Sequence, residues 1–185
     1  MKTFFKALRV LLLLTFVTGV LYPLGMNIIG AVIFPHQANG SLILRDGQPV
    51  GSALIGQQFA QAKYFHSRPS AADYDAQAAG GSNLGPSNPK LTENVAKNID
   101  TIRRINNLSV DTPIPSDLAT ASASGLDPHV SLAAAKLQAE RVAQTRNLPT
   151  DKVLAVLAEH KQTGLTGGAE FVNVLKVNLA LDEIK

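Results

Sequence analysis

Residues 10–34, VLLLLTFVTGVLYPLGMNIIGAVIF, run for 25 positions without a charged side chain. As a helix rising about 1.5 Å per residue, that stretch reaches roughly 37 Å, enough to cross a hydrocarbon core of about 30 Å with some tilt. A core helix of a soluble domain rarely stays uncharged for so long. The segment predicts one transmembrane helix. A cleaved signal peptide has an apolar region of only about 7–15 residues and a small-x-small cleavage site. The nearest candidate site, HQA at 36–38, places His36 where a small residue is needed. The expectation is an uncleaved anchor.

Charge gives the orientation. Lys2, Lys6 and Arg9 form a basic lead over residues 1–9, and the next cation after the span is Arg45. The positive-inside rule places the N-terminus in the cytoplasm and residues 36–185 outside, on the periplasmic side of a bacterial inner membrane. All 14 acidic residues follow residue 36, where the remaining 14 of the 17 Lys and Arg balance them. The net charge of +3 is therefore a topology signal, and no basic stripe points to nucleic acid. The absence of cysteine excludes disulfides and thiolate metal sites.

Within the span, Thr15, Gly19, Pro23, Asn27 and Ala31 recur every four residues. That spacing draws one small or polar ribbon along a helix whose other faces carry Leu, Ile, Val and Phe. Small residues admit a second helix at close range, and an amide inside a membrane seeks a partner. These five residues are the expected subunit contact in the membrane. Pro23 removes a backbone donor, which predicts a kink.

The outer part is long enough for one domain with its own core. NGSLILRDGQPVGSALIG reads as a hairpin turning at Asp46-Gly47. Residues 66–90, rich in Ser, Pro, Gly, Asn and Ala, predict an ordered irregular loop. Asn88-Pro89 opens a helix with Leu91, Val95, Ile99, Ile102 and Ile105 on its apolar face. A second helix is expected over 131–146, burying Leu132, Ala135, Leu137 and Val142. A third, capped by Thr150, buries Val153, Leu154, Val156 and Leu157, and TGLTGG ends it. FVNVLKVNLALD then alternates and reads as a closing strand. The fold class is a single-pass membrane protein with an α+β periplasmic domain.

Catalytic motifs are weak. The P-loop pattern is absent, and GGSNLG at 80–85 has neither dinucleotide-loop spacing nor a preceding strand. Ser87 and Lys90 match S-x-x-K, but no K-T-G accompanies them. His36, His66, His129 and His160 are scattered, and none pairs at i, i+3 or i+4; the nearest cluster that could hold a metal is His66 with Asp73 and Asp75. The densest chemistry is KYFHSRPS at 63–70. Tyr64 and Phe65 there suit core packing, while Lys63, His66 and Arg68 suit a contact surface.

Seven blocks occur in order: FPHQANGSLI, GSALIGQQF, YFHSRPSA, AGGSNLGPSNP, TASASGLDPHVS, RVAQTRNL and VNVLKVNLALD. Together with the basic lead and single anchor, they resemble the C subunits of the Kdp potassium-transporting P-type ATPases over nearly the whole chain. The resemblance implies a non-catalytic subunit that assembles and stabilises an inner-membrane pump. It also implies a catalytic chaperone that raises the hydrolysing subunit's affinity for ATP. The implied partners are a channel-like potassium-binding subunit, the P-type ATPase subunit and a small single-span subunit. ATP and potassium are used by the complex, with no cofactor expected on this chain.

Within that family, SALIGQ at 52–57 looks like the signature loop of ABC transporters. The match would make Gln57 a nucleotide contact, although the paired glycines are missing. The charge bias puts Gln57 outside, away from ATP, so an effect on ATP affinity is expected to pass through the membrane subunits. His66 and Arg68 are the expected contact outside the membrane, facing the channel-like subunit. Asp73 and Asp75 are candidates for gathering potassium. The alternative is a free-standing anchored periplasmic enzyme or binding protein.

Overall fold

The computed structural model describes residues 1–165 and 167–184 and separates into two compact units, Met1–Val50 and Gly51–Lys185. The first is dominated by helix α1, Lys2–Ile33, 32 residues with a mean hydropathy of 2.0 and an apolar window left unburied by the chain. Phe34 leaves helical geometry at φ −128°, and Pro35 opens a single turn, Pro35–Ala38. The disturbance expected at Pro23 takes the form of a π turn, Val17–Leu21, where the Tyr22 N–H donates to Val17 O. Pro23 has no N–H for the carbonyl four residues earlier, and a widened turn just before it accommodates that loss. Thr15, Gly19, Pro23, Asn27 and Ala31 are all exposed, and a Cβ on Gly19 would meet nothing within 4 Å.

The hairpin forms as expected: β1 is Leu42–Arg45 and β2 is Gln48–Ser52. Asp46 and Gly47 both take positive φ, 52° and 76°. Two left-handed residues make the turn that matches strand twist, and Asp-Gly adopts it at little cost.

In the second unit, α2 is Pro89–Ile105, with Asn88 Oδ1 accepting from the Lys90 N–H as cap. Helices α3, Leu132–Arg146, and α4, Thr150–Glu159, are joined by Asn147 in the left-handed conformation at φ 54°. Small buried residues on α3, Ala134, Ala135, Ala139 and Ala143, let α4 approach closely; Val153 and Leu157 are fully buried there. Thr150 is the first helical residue with Pro149 before it, and its side chain makes no capping bond. Pro149 takes the boundary position because its own φ suits the entry to a helix.

The closing segment differs from the expectation. Only Glu170–Asn173 is a strand, β5, and Val174–Asp182 is a helix, α5. Asn173 decides the switch: its Oδ1 accepts from the Lys176 N–H at 3.1 Å and caps the helix. Val174, Leu175, Val177, Asn178 and Leu181 are then buried at helical spacing. A segment apolar on both faces satisfies period two and period 3.6 alike, and packing selects between them. Two short strands escape the sequence pattern, β3 at His129–Ser131 and β4 at Lys161–Thr163. They flank β5 in an antiparallel sheet of order β3-β5-β4, with Val130 opposite Val172 and Gln162 opposite Phe171. The core lies between this sheet and α3, α4 and α5, with Phe65 reaching it from a loop and Leu118 from the single helical turn Ser116–Ala119.

Candidate functional site

The KYFHSRPS stretch leaves a turn at Lys63 and runs on without regular secondary structure, and four side chains from two helices bond to the backbone of residues 62–66. Asn178 of α5 accepts from the Phe65 N–H at 2.8 Å and donates to Phe65 O at 3.0 Å. Gln138 of α3 does the same for His66, accepting from its N–H at 2.8 Å and donating to its carbonyl at 3.3 Å. Arg141 donates to the carbonyls of Ala62 and Tyr64 and, through Nε, to Asn106 Oδ1 at 2.8 Å. Arg146 donates to Lys63 O at 2.7 Å and to Asp182 Oδ1 at 2.8 Å. Buried backbone groups must be paired, and here amide and guanidinium groups take the place of a neighbouring strand. Burial pulls the Arg141 guanidinium down to about 10, so it stays a cation at neutral pH. Phe65 is 1% exposed, as expected of a core anchor. Tyr64 packs against Phe59 at 5.3 Å, donates to Asp182 Oδ2 at 3.1 Å and has Lys63 and Arg146 over its ring.

Beyond Arg68, three small-residue loops interlock. Gly56 N–H donates to Leu126 O and Gly80 N–H to Ser124 O, each at 2.8 Å; Ser122 N–H donates to Pro69 O at 3.1 Å. Ser70 Oγ donates to Gly125 O at 2.7 Å and accepts from the Ala72 and Tyr74 amides. A Cβ on Gly56 would stand 2.5 Å from Asp127 O, and one on Gly81 2.8 Å from Ala123 O. Only glycine allows backbones this close. Blocks separate in sequence, GSALIGQ, SRPSA, AGG and TASASGLDP, thus become one surface. Tyr74 sits at φ 61°, unusual for an aromatic residue, with its hydroxyl bonded to Arg68 O.

Arg68 lines an open cavity of about 580 Å³ with Asp127, His129, Asp117, Glu170 and Phe171. Its Nη1 donates to Asp127 Oδ2 at 3.0 Å, and Asp127 Oδ1 accepts from the His129 N–H at 3.0 Å. The His129 ring meets Phe171 edge-on at 5.0 Å. The His129 ring, whose Nδ1 stands 3.7 Å from Asp127 Oδ1, with further help from the His129 amide and from Arg68, holds the Asp127 carboxyl below its ordinary range despite burial. Ser131 Oγ donates to Asp117 Oδ1 at 3.2 Å and accepts from the Ala134 N–H. Its hydroxyl is thus bonded to a carboxylate and itself caps α3. The cavity lining is of mixed charge, with Arg68 among Asp117, Asp127 and Glu170.

The other expected residues are placed elsewhere. His66 lines a separate cavity of about 230 Å³ with Phe59, Tyr74 and Ile102. Burial, then the charge of Arg141, lowers its pKa, while the Gln61 carbonyl opposes both. His66 and Arg68 thus line different cavities. Gln57 packs its carboxamide over Gly51, and its carbonyl accepts from Ser67 Oγ at 2.9 Å. Asp75 Oδ1 caps the turn Ala76–Ala78, and Asp73 is exposed. In the sequence no motif marks Asp127 as a site residue, and His129 stands there as one of four scattered histidines. Asp-Pro-His is nevertheless a turn signature, because an Asp side chain readily accepts from the amide two residues on.

The family model described as KdpC: K+-transporting ATPase, c chain, matches residues 4–183. The chain is 51% identical over 182 residues to the potassium-transporting ATPase KdpC subunit of Mycobacterium tuberculosis strain H37Rv, covering 96% of each protein. It is 52% identical over 185 residues to the protein of that name from Polaromonas naphthalenivorans, covering 97% of this chain and 93% of the relative. The corresponding Burkholderia ambifaria protein is 51% identical over 189 residues, covering 98% and 97%. The seven blocks, the apolar N-terminal helix and this near end-to-end identity converge: the chain belongs to the KdpC family, the C subunits of potassium-transporting ATPases.

Proposed function

We propose that the chain is a non-catalytic subunit of an ATP-driven potassium uptake complex in the bacterial inner membrane. Helix α1 crosses the membrane once, the N-terminus is cytoplasmic, and the Gly51–Lys185 unit is periplasmic. The observation that carries this reading is α1, whose apolar surface the chain leaves wholly uncovered. Lys2, Lys6 and Arg9 before the uncharged run, and no further cation until Arg45, support the orientation. Thr15, Gly19, Pro23, Asn27 and Ala31 form the side on which the membrane partners pack. The partners are the channel-like potassium-binding subunit, the P-type ATPase subunit and the small single-span subunit.

The periplasmic unit assembles and stabilises that complex. Its cavity around Arg68, Asp127 and His129 is the polar surface offered to the channel-like subunit, and His66 acts by holding the segment that carries Arg68. Any gain in ATP affinity passes through the membrane contacts, and Gln57 supports the loop fold. The test is a tagged pull-down from mild-detergent membranes of potassium-starved cells, followed by an ATPase assay. Recovery of a large P-type ATPase and a channel-like protein, with potassium-dependent hydrolysis, is the expected result. Elution of the chain alone would sink the reading.

A further inference from the structure

The hairpin β1–β2 carries an apolar face that the chain leaves open. Leu42 is 44% and Leu44 62% exposed, and they alternate with half-buried Ile43, so both stand on one face of β1. The charge pattern points to what covers them. Asp, Glu, Lys and Arg are absent not only from the apolar run 10–34 but from every position between 10 and 44; the first two charges, Arg45 and Asp46, stand at the hairpin tip. The link from α1 to β1 is compact. Ala38 N–H donates to Phe34 O at 2.9 Å, Gly40 N–H to Gln37 O at 3.0 Å and Ser41 N–H to His36 O at 2.9 Å. With Ile33 at the edge of the hydrocarbon, so short a link keeps β1 within the headgroup layer, which adds roughly 5–8 Å on each side of the core. The exposed pair is aliphatic. Protein interfaces anchor on Trp, Tyr and Arg, with Leu under-represented, whereas lipid accepts any apolar side chain.

We infer that the β1–β2 hairpin lies on the leaflet next to Ile33, with Leu42 and Leu44 in the lipid interface and Arg45-Asp46 among the headgroups. It is a second membrane attachment that limits rotation of α1 about its own axis. The inference rests on the reading of α1 as a membrane span.

The chain has no cysteine, so single-cysteine variants carry one fluorophore each. Leu44→Cys and, in the span, Ile29→Cys are labelled in the purified complex and reconstituted in phosphatidylethanolamine/phosphatidylglycerol vesicles. The Leu44 label is expected to be quenched several-fold more by headgroup-level nitroxide lipid than by aqueous iodide, and the Ile29 label by acyl-chain nitroxide. Iodide quenching at Leu44 beside lipid quenching at Ile29 overturns the inference alone. Loss of lipid quenching at Ile29 overturns the span, and the inference with it. A Leu44 label shielded from both quenchers means a protein covers the hairpin, which also overturns it.

Discussion

Asn178 pairs with Phe65 as a neighbouring strand would, giving one hydrogen bond to its carbonyl and taking one from its amide, 113 residues apart in the chain. Phe65 can bury its ring because its backbone is satisfied at the same point. Gln138 repeats the arrangement at His66. The segment that leads to Arg68 is therefore positioned by α3 and α5.

Asn178→Leu removes both bonds and leaves a buried N–H and C=O unpaired. Each orphaned group costs about 1–3 kcal/mol. Urea unfolding of the full chain in detergent should show a loss of about 2–5 kcal/mol. Asn178→Asp keeps the acceptor but sets a buried carboxyl against the Phe65 carbonyl, so it should destabilise as well.

Gly56→Ala drives a Cβ against the Asp127 carbonyl, where only backbone movement gives relief. Overpacking of this kind costs about 1–3 kcal/mol. The loops 51–57 and 119–128 should separate locally, which limited proteolysis would detect as new cleavage there. Unchanged protection would mean that the backbones shift without parting.

His66 is held neutral in the folded protein, with its pKa lowered first by burial and then by Arg141. At a pH just below the ordinary histidine value the unfolded chain binds the proton more readily than the folded one. Stability is complete above about pH 6.5 and declines as the pH falls through that window. His66→Gln should flatten the change in urea midpoint between pH 7.5 and 5.5.

Asp127 contributes in a lower window. Its carboxyl is depressed by His129, through the nearby ring and the amide, and by Arg68, so its stabilising effect is present above the unfolded carboxylate value and lost as the pH falls through the folded one. Asp182 behaves alike: burial pushes it up, but hydrogen bonds from Arg146 and Tyr64 and the charges of Arg146 and Lys63 prevail. The double variant Asp127→Asn with Asp182→Asn should weaken the dependence of the urea midpoint on pH below about 4.

Gly19→Leu with Asn27→Leu fills the small ribbon of α1 without shortening it. Co-purification with the ATPase partners should fall several-fold while the chain remains in the membrane fraction. Full co-purification would mean that this side of α1 faces lipid.

Local chemistry determined much of this protein from sequence alone. The uncharged run became the membrane-crossing length of α1, Asp46-Gly47 made its turn, Asn88-Pro89 opened α2, and Leu148-Pro149 separated α3 from α4. Each depends on a few adjacent residues, so adjacent residues suffice to read it. Tertiary structure decided the rest. It turned an apolar run after Asn173 into a helix, paired β3 and β4 with β5, and sent His66 and Arg68 to different cavities. It also buried Gln138, Arg141 and Asn178, polar residues on the helices beneath the KYFHSRPS segment. Their partners lie 72 to 113 positions away. Hydrogen bonds to a distant backbone leave no period or motif in the sequence, because the pairing exists only once the core has formed.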